Sequence, residues 1–233
     1  MKLFISAISK LVIGLGAIAT LLFAPAGTFA FPGAWRLLML LFIPMIIMGV
    51  ALLIWAQETL SRRLRSKEER VKQKGVVALS GILFVASFIL AGLDFRFGWS
   101  EITSWVTWTA SSIFLLSYGM YAEVMRENEW LSRSIEVMEG QKVVSTGLYG
   151  IVRHPMYTAT ILMFLAMPLV MGSWWAFLVM LPYVIAIVTR IKDEEMLLTK
   201  ELEGYLEYKE KVRWNLFHTS GKPHYRYPQS NFI

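Results

Sequence analysis

Long stretches without charged side chains constrain the fold of this chain more than any other feature of its sequence. Residues 11–35 and residues 154–189 each contain no Asp, Glu, Lys or Arg. About 20 consecutive apolar residues in a helix cross the hydrocarbon core of a bilayer, and a helix satisfies its own backbone groups there. Only 17% of all residues are charged, against about 25% in soluble domains. The sequence therefore predicts an all-α, polytopic integral membrane protein embedded in the lipid bilayer.

The first half of the chain divides into four mainly apolar windows, each long enough for one membrane span. Two helix-breaking residues, Pro25 and Gly27, close the first window. The N-terminus also resembles a secretory signal peptide, because a basic start and an apolar run precede the sequence TFA before Phe31. The uncharged run 11–35 is longer than the apolar region of such a signal, so we expect a retained first span. The four predicted spans are 4–24, 37–57, 75–93 and 102–122.

The uncharged window 154–189 is too long for one span and short for two. In its middle, the sequence MGSWW (Met171 to Trp175) combines a Gly-Ser turn with tryptophans, which favour the membrane interface. This pattern predicts a tight helical hairpin with arms 156–171 and 173–191. Together with the four spans, the hairpin makes about six membrane helices.

The charged residues fall on one predicted side of the membrane. The loop 58–74 holds seven basic and three acidic residues between apolar windows, and basic loops of this kind face the cytoplasm. This orientation places 123–155 and the segment from Arg190 onward, including a C-terminal helix beyond the bilayer, at the cytoplasmic face. We attribute the net charge of +6 to this orientation and expect no nucleic acid partner. The absence of cysteine excludes thiolate catalysis and cysteine-bound metals, and no metal site is predicted.

The sequence GLYGIVRHPMY, Gly147 to Tyr157, stands at the start of the hairpin. The residue before a proline is disfavoured in a helix, and proline suits the first helical turn, so the helix is expected to begin at Pro155. Arg153 and His154 at a membrane boundary are typical of interface anchors. The alternative is a ligand site, because the N–H groups at a helix start favour an anion.

The end of the hairpin carries a second charged cluster. Arg190 and Glu194 are four residues apart and share one helical face, next to Glu195. A surface ion pair of small energetic value is one interpretation. A functional site is the other, because ionisable groups at membrane depth usually have a function. The two clusters stand at the two ends of the same hairpin in sequence, so they are expected to lie close together at its cytoplasmic end. The combined patch would contain Arg153, His154, Tyr157, Arg190, Glu194 and Glu195.

Together, GLYGIVRHPMYTATIL and the later RIKDEEMLLTKELEGYLEYKEKVRWNLF resemble the isoprenylcysteine carboxyl methyltransferase family and its phospholipid N-methyltransferase relatives. The resemblance covers about residues 143–217. It implies an integral membrane methyltransferase that uses S-adenosylmethionine and acts on a lipophilic or small amphiphilic carboxylate, thiol or amine. Residues 126–217 would then be the catalytic region, preceded by the N-terminal spans 1–125 and followed by a tail, 218–233.

The resemblance also implies roles for individual residues. In the isoprenylcysteine enzymes, the positions of Arg190 and Glu194 are those expected at the methyl acceptor. In the phospholipid enzymes, the acidic pair is associated with cofactor binding, so Glu194 keeps two candidate roles. The residues implied for cofactor binding, including the backbone of the turn before the helix, are Gly147, Tyr149, Arg153, His154, Tyr157, Glu194 and Glu195.

The sequence is also compatible with two other classes of protein. A membrane reductase of the sterol-reductase type shares a similar C-terminal arrangement but uses NADPH. No basic cluster in the sequence marks a site for its 2′-phosphate, for which Arg133 and Lys142 are candidates. A non-enzymatic transport component or assembly factor would use the charged clusters as anchors and ion pairs. For the methyltransferase, we expect a lipophilic acceptor to enter between the hairpin and the third and fourth spans. The sequence determines neither the acceptor nor the oligomeric state.

Overall fold

A computed structural model describes residues 2–55, 57, 60–61, 71–132 and 134–216. These residues form helices and loops without a β-strand, so the predicted all-α fold is confirmed for them. Most of the basic loop 58–74 and the whole tail 218–233 lie outside the described residues. A 3₁₀ turn, Gly147–Gly150, precedes the fifth helix. The helices are α1 (Lys2–Ala26), α2 (Pro32–Trp55), α3 (Val71–Phe97), α4 (Ser104–Glu127), α5 (Pro155–Met171), α6 (Trp174–Met180), α7 (Pro182–Glu201) and α8 (Tyr205–Lys211).

Four stretches within the described ranges are long and apolar enough to cross a membrane. α5 is a shorter apolar helix. α4 forms as a 24-residue helix but is not among the four, because serine and threonine interrupt its apolar sequence; the hydroxyls of Thr107, Ser111 and Ser117 bond to the backbone of the preceding turn. The total of about six membrane helices therefore stays a prediction. The four stretches are Phe4–Ala26, Pro32–Trp55, Gln73–Phe97 and Trp174–Glu201, the last of which joins α6 and α7.

α5 is the central helix of the bundle, in contact with α2, α3, α4, α6 and α7. Its sequence, PMYTATILMFLAMPLVM, is apolar on every face, which is the pattern of a helix buried all round. Two small residues, Ala159 and Ala166, are buried and let neighbouring helices approach closely. The main core draws residues from α1 through α6 and includes Phe31, Leu37, Phe88, Phe114 and Met167.

The hairpin predicted from MGSWW is present. Gly172 ends α5 with a φ of +89°, a left-handed conformation that glycine adopts without steric cost. Ser173 caps α6 by accepting a hydrogen bond from the N–H of Ala176 at 3.1 Å. The returning arm is interrupted where Pro182 begins α7, since proline lacks the N–H that a continuous helix requires.

A buried carboxylate ties the hairpin turn to the end of α3. Asp94 is 2% exposed and accepts hydrogen bonds from the hydroxyls of Ser100 at 2.6 Å and Ser173 at 2.5 Å. The Ser100 hydroxyl in turn accepts from the N–H of Trp174 at 3.1 Å. The hairpin turn and the end of α3 therefore share one end of the bundle, termed the turn end. The opposite end, where α5 begins and α7 ends, is termed the site end.

A glycine in α2 allows this helix to pack closely against the end of α5. A Cβ atom on Gly33 would lie 2.1 Å from the carbonyl oxygen of Met171, which is far inside van der Waals contact and involves backbone that cannot rotate away. Gly49, in the same helix, has no neighbouring atom within 4 Å of such a Cβ. The packing of α2 on α5 therefore requires glycine at position 33 and not at position 49.

We expect Gly33→Ala to lower the free energy of unfolding by about 1–3 kcal/mol, because the added methyl group forces α2 away from α5. Thermal unfolding of the detergent-purified protein would measure this as a lower midpoint temperature. Gly49→Ala is the matched control and should leave the midpoint unchanged or raise it, since alanine favours a helix over glycine by about 0.5–1 kcal/mol. Equal midpoints for the two variants would contradict the close approach.

Candidate functional site

The site end is built around the extended lead-in to α5. His154 has a φ of −123° and a ψ of 61°, outside the helical region, as expected for a residue before proline. The N–H of Arg153 donates to the carbonyl of Trp214 at 2.8 Å, and the N–H of His154 donates to that of Asn215 at 3.0 Å. The C-terminal segment 212–216 therefore runs along this lead-in, and the predicted start of the helix is confirmed.

Glu195 is the centre of a buried ion cluster. Its Oε1 lies 2.6 Å from Nε of Arg153 and 3.1 Å from Nε2 of His154, and its Oε2 lies 3.0 Å from Nζ of Lys209. Arg153 and Glu195 are each 8% exposed. Removing one partner of such a buried pair leaves the other charge uncompensated in a place that water does not reach. The cluster therefore locks the lead-in of α5 to α7 and α8.

The remaining donors of Arg153 also find partners inside the protein. Its Nη1 donates to the carbonyl of Val212 at 2.8 Å, and its Nη2 donates to the side-chain oxygen of Asn215. Tyr205 adds a hydroxyl donor to Glu195 at 3.5 Å. Arg153 is thus a clamp that holds the C-terminal segment and α7 against the start of α5.

The Tyr157 hydroxyl joins the two ends of the hairpin on the opposite side of this clamp. It donates to Oε2 of Glu194 at 2.5 Å and accepts from Nε of Arg190 at 2.9 Å. Tyr157 is buried, whereas Glu194 is half-buried. The predicted meeting of the two charged clusters at one end of the hairpin is confirmed, with Tyr157 as the link between them.

A second layer of polar side chains lies behind Arg190. Gln73, at the start of α3, is fully buried. Its Nε2 donates to Oδ2 of Asp193 at 2.8 Å, and its Oε1 accepts from Nη1 of Arg190 at 3.4 Å. α3 thereby contributes to the site a residue that no motif in the sequence indicated.

These groups border a cavity of about 100 Å³. Tyr149 forms one side of it: the Tyr149 hydroxyl accepts from Nδ2 of Asn128 at 2.8 Å, and its carbonyl accepts from the Tyr208 hydroxyl at 2.8 Å. Most of the residues predicted for cofactor or acceptor binding contribute to the wall. They are Tyr149, Arg153, His154, Tyr157, Arg190 and Glu194.

Gly147 and Glu195 are not among the lining residues. Gly147 has a φ of +53°, so the turn itself requires glycine there. Glu195 lies behind Arg153 and His154, where the ion cluster occupies both of its carboxylate oxygens. Cofactor contacts of Gly147 and Glu195 stay predictions from the resemblance, and in the structure both residues hold the surrounding backbone in place.

The cavity wall contains aromatic and polar residues to which the sequence assigned no role at a site. Tyr205 and Tyr208 stand in the second motif, but their place in an apolar stripe at helical spacing indicates packing. Burial raises the pKa of both phenols above their usual value, and the Glu195 carboxylate adds to this effect at Tyr205. Both hydroxyls therefore stay protonated at neutral pH and serve as hydrogen-bond donors. Other missed lining residues include Asn128, Trp130 and Glu136.

The reductase alternative depended on two basic residues. Lys142 is exposed and lines the cavity. Arg133 lies outside the described residues, so its part in a phosphate site stays a prediction.

Glu195→Gln is expected to lower the free energy of unfolding by roughly 3 kcal/mol, because it leaves Arg153 buried without its counter-charge. Thermal unfolding in detergent would measure the loss. Glu201→Gln is the matched control: it makes the same change in charge on the same helix at an exposed position, and should stay within about 0.5 kcal/mol of wild type. If Glu195→Gln unfolds at the same temperature as this control, the clamp does not hold the site end together.

Comparison with known proteins finds one family model that matches the region around this site. The family model described as phospholipid methyltransferase matches residues 104–203, a region that contains α4 to α7 with Tyr157, Arg190 and Glu194. A comparison with curated proteins found no match to the chain. The family match indicates a membrane methyltransferase and confirms the resemblance seen in the two motifs. By this match, residues 104–203 are similar to the phospholipid methyltransferase family.

Proposed function

We propose that this protein is an S-adenosylmethionine-dependent integral membrane methyltransferase of the isoprenylcysteine carboxyl methyltransferase type, with its site at the cytoplasmic face. The observation that carries the proposal is the Tyr157 hydroxyl, which binds Arg190 and Glu194 at the wall of a cavity lined mostly by the family-matched region. The cavity lies at the end of helices long enough to cross a bilayer. A water-soluble reagent and a lipophilic acceptor can therefore meet there.

The chemistry of the cavity wall fits the cofactor. S-adenosylmethionine carries a ribose diol and an ammonium group, which the carboxylates of Glu136 and Glu194 are suited to bind. Its own carboxylate would pair with Lys142 or Arg190. An aromatic ring such as that of Trp130 is suited to stack on the adenine or to face the positive sulfur.

The size of the cavity sets a condition on binding. Its volume of about 100 Å³ is below the roughly 300–1,000 Å³ of typical ligand pockets. A ligand as large as S-adenosylmethionine would therefore extend out of this cavity or displace part of its wall. The described residues between α4 and the 3₁₀ turn form a loop that contributes to the wall, and we assign such a displacement to this loop.

The cofactor supplies a methyl group on a positively charged sulfur, already activated toward nucleophiles. The protein's part is to position the nucleophile and to accept its proton, and positioning alone lowers barriers by up to about 7–11 kcal/mol in the best intramolecular cases. A carboxylate acceptor needs no base and would pair with Arg190. A thiol or amine acceptor releases a proton, which Glu194 or His154 would accept.

An apolar groove between α2 and α4 offers the acceptor a path from the bilayer. Its volume is about 890 Å³, and aliphatic side chains and methionines form most of its wall. Arg126 and Glu129 stand at its site end. Met48 of the groove packs in one cluster with Tyr149, which borders the cavity. This groove favours entry between α2 and α4 over the route predicted beside the hairpin.

In a calorimetric titration, the detergent-purified protein is expected to bind S-adenosylmethionine and its product S-adenosylhomocysteine, and not NADPH. The reason is the match between the charged and aromatic wall and the groups of the adenosyl ligands. A response to NADPH alone would contradict the proposal and favour the reductase alternative. No response to any of the three would favour a non-enzymatic protein.

The same titration with Glu194→Gln separates the two roles implied for that residue. Weaker binding of S-adenosylhomocysteine assigns Glu194 to the cofactor, whereas unchanged binding with loss of methyl transfer assigns it to the acceptor. Glu201→Gln again serves as the control, since it removes an exposed carboxylate from the same helix.

Gly119 lines the groove and has open space where a Cβ would be added. We expect Gly119→Leu to obstruct the groove and to reduce methyl transfer from labelled cofactor to a lipid extract about tenfold, with unchanged affinity for S-adenosylhomocysteine. Gly16→Leu is the matched control, because Gly16 of α1 has the same open space on an exposed face away from the groove. Equal transfer rates for the two variants would exclude the groove as the acceptor's path.

A further inference from the structure

Gln73 is a buried amide outside the family-matched region. Its side chain is 0% exposed, although the next residue, Lys74, is exposed. Both ends of the amide are used, since Nε2 donates to Asp193 at 2.8 Å and Oε1 accepts from Arg190 at 3.4 Å. An amide presents a donor and an acceptor on one planar group without carrying a charge, so it can bind an acid and a base at the same time.

The contacts continue from Arg190 to the cavity. Nε of the same guanidinium donates to the Tyr157 hydroxyl at 2.9 Å, and this hydroxyl donates to Glu194 at 2.5 Å. Tyr157, Arg190 and Glu194 line the cavity, whereas Gln73 is not among its lining residues. Gln73 therefore reaches the cavity wall through Arg190.

Two hydrogen bonds on different edges of a guanidinium restrict it more than one does. Arginine has a long side chain with high rotamer entropy, so each contact at a further edge of the guanidinium limits the orientations of its plane. The contact from Nη1 to Gln73 comes from another helix and restricts the plane at that edge. Linked hydrogen bonds of this kind also polarise one another in a buried environment.

We propose that Gln73 is a positioning residue for methyl transfer: it holds the Arg190 guanidinium against the Tyr157 hydroxyl and thereby orients the pair of Tyr157 and Glu194 toward the acceptor. The inference rests on the proposed function and, of the two roles that it leaves open for Arg190 and Glu194, on the one at the acceptor. It makes α3, which lies before residues 104–203, a part of the site.

The first test is Gln73→Leu in the full-length, detergent-purified protein. This substitution removes both hydrogen bonds and leaves a side chain of similar size. Methyl transfer from labelled S-adenosylmethionine to a lipid extract is expected to fall about tenfold or more, while the affinity for S-adenosylhomocysteine is unchanged. A general loss of structure would instead lower the affinity and the thermal midpoint together. Lys74→Leu changes the exposed neighbour and should leave transfer, affinity and midpoint unchanged.

Gln73→Glu distinguishes positioning from packing. The new carboxylate keeps an oxygen for Arg190, although it loses the donor to Asp193 and repels that carboxylate. If Gln73 acts through Arg190, Gln73→Glu transfers methyl groups faster than Gln73→Leu. If the position only fills space, leucine is tolerated and a buried glutamate is not, so the order is reversed. The reversed order, or wild-type transfer by Gln73→Leu, would overturn the proposal.

These measurements also separate the positioning role from the proposed function. Wild-type protein that binds no S-adenosylhomocysteine and transfers no methyl group would overturn both. Active wild-type protein with an insensitive Gln73 would overturn the positioning role alone.

Discussion

The site end of this protein depends on one buried ion pair, between Arg153 and Glu195. Both residues are 8% exposed, so their attraction is screened little, but each has also lost its hydration. The arrangement is stable because His154, Lys209 and the carbonyl of Val212 complete the hydrogen bonding of the two ions. These partners come from the lead-in of α5, from α8 and from the C-terminal segment. Arg153 alone bonds to Glu195 and to Val212, which are 42 and 59 positions away in sequence.

Two adjacent glutamates of α7 have different roles because of helix geometry. Successive residues of an α-helix point about 100° apart, so Glu195 faces the ion cluster while Glu194 faces Tyr157 and the cavity. The resemblance treats the two as one acidic pair for the cofactor, yet of these two only Glu194 lines the cavity. The buried pair of Glu195 holds α7 in the rotation that presents Glu194. The ion pair that stabilises the site end and the carboxylate proposed for the chemistry therefore belong to adjacent residues in one turn of α7.

The helices outside the family-matched region do more than anchor the protein in a membrane. Gly33 lets α2 pack on the end of α5, and α2 forms one wall of the groove beside the cavity. Gln73 of α3 bonds to Arg190 and Asp193. In the proposed methyltransferase, the matched region 104–203 supplies the groups at the cavity, while α2 and α3 contribute the acceptor's path and the orientation of Arg190.

The sequence by itself determined the all-α membrane fold, the hairpin turn at Gly172 and the start of α5 at Pro155, because uncharged length, glycine and proline act locally. The meeting of the two charged motifs was also predictable, since a hairpin returns its two ends to one place. Only the tertiary structure decided which of these side chains face the cavity. Glu195 points into the ion cluster, and Gln73 meets Arg190 across 117 positions of sequence. Both contacts depend on helix rotation and on packing between distant helices, which have no local or periodic signature in the sequence.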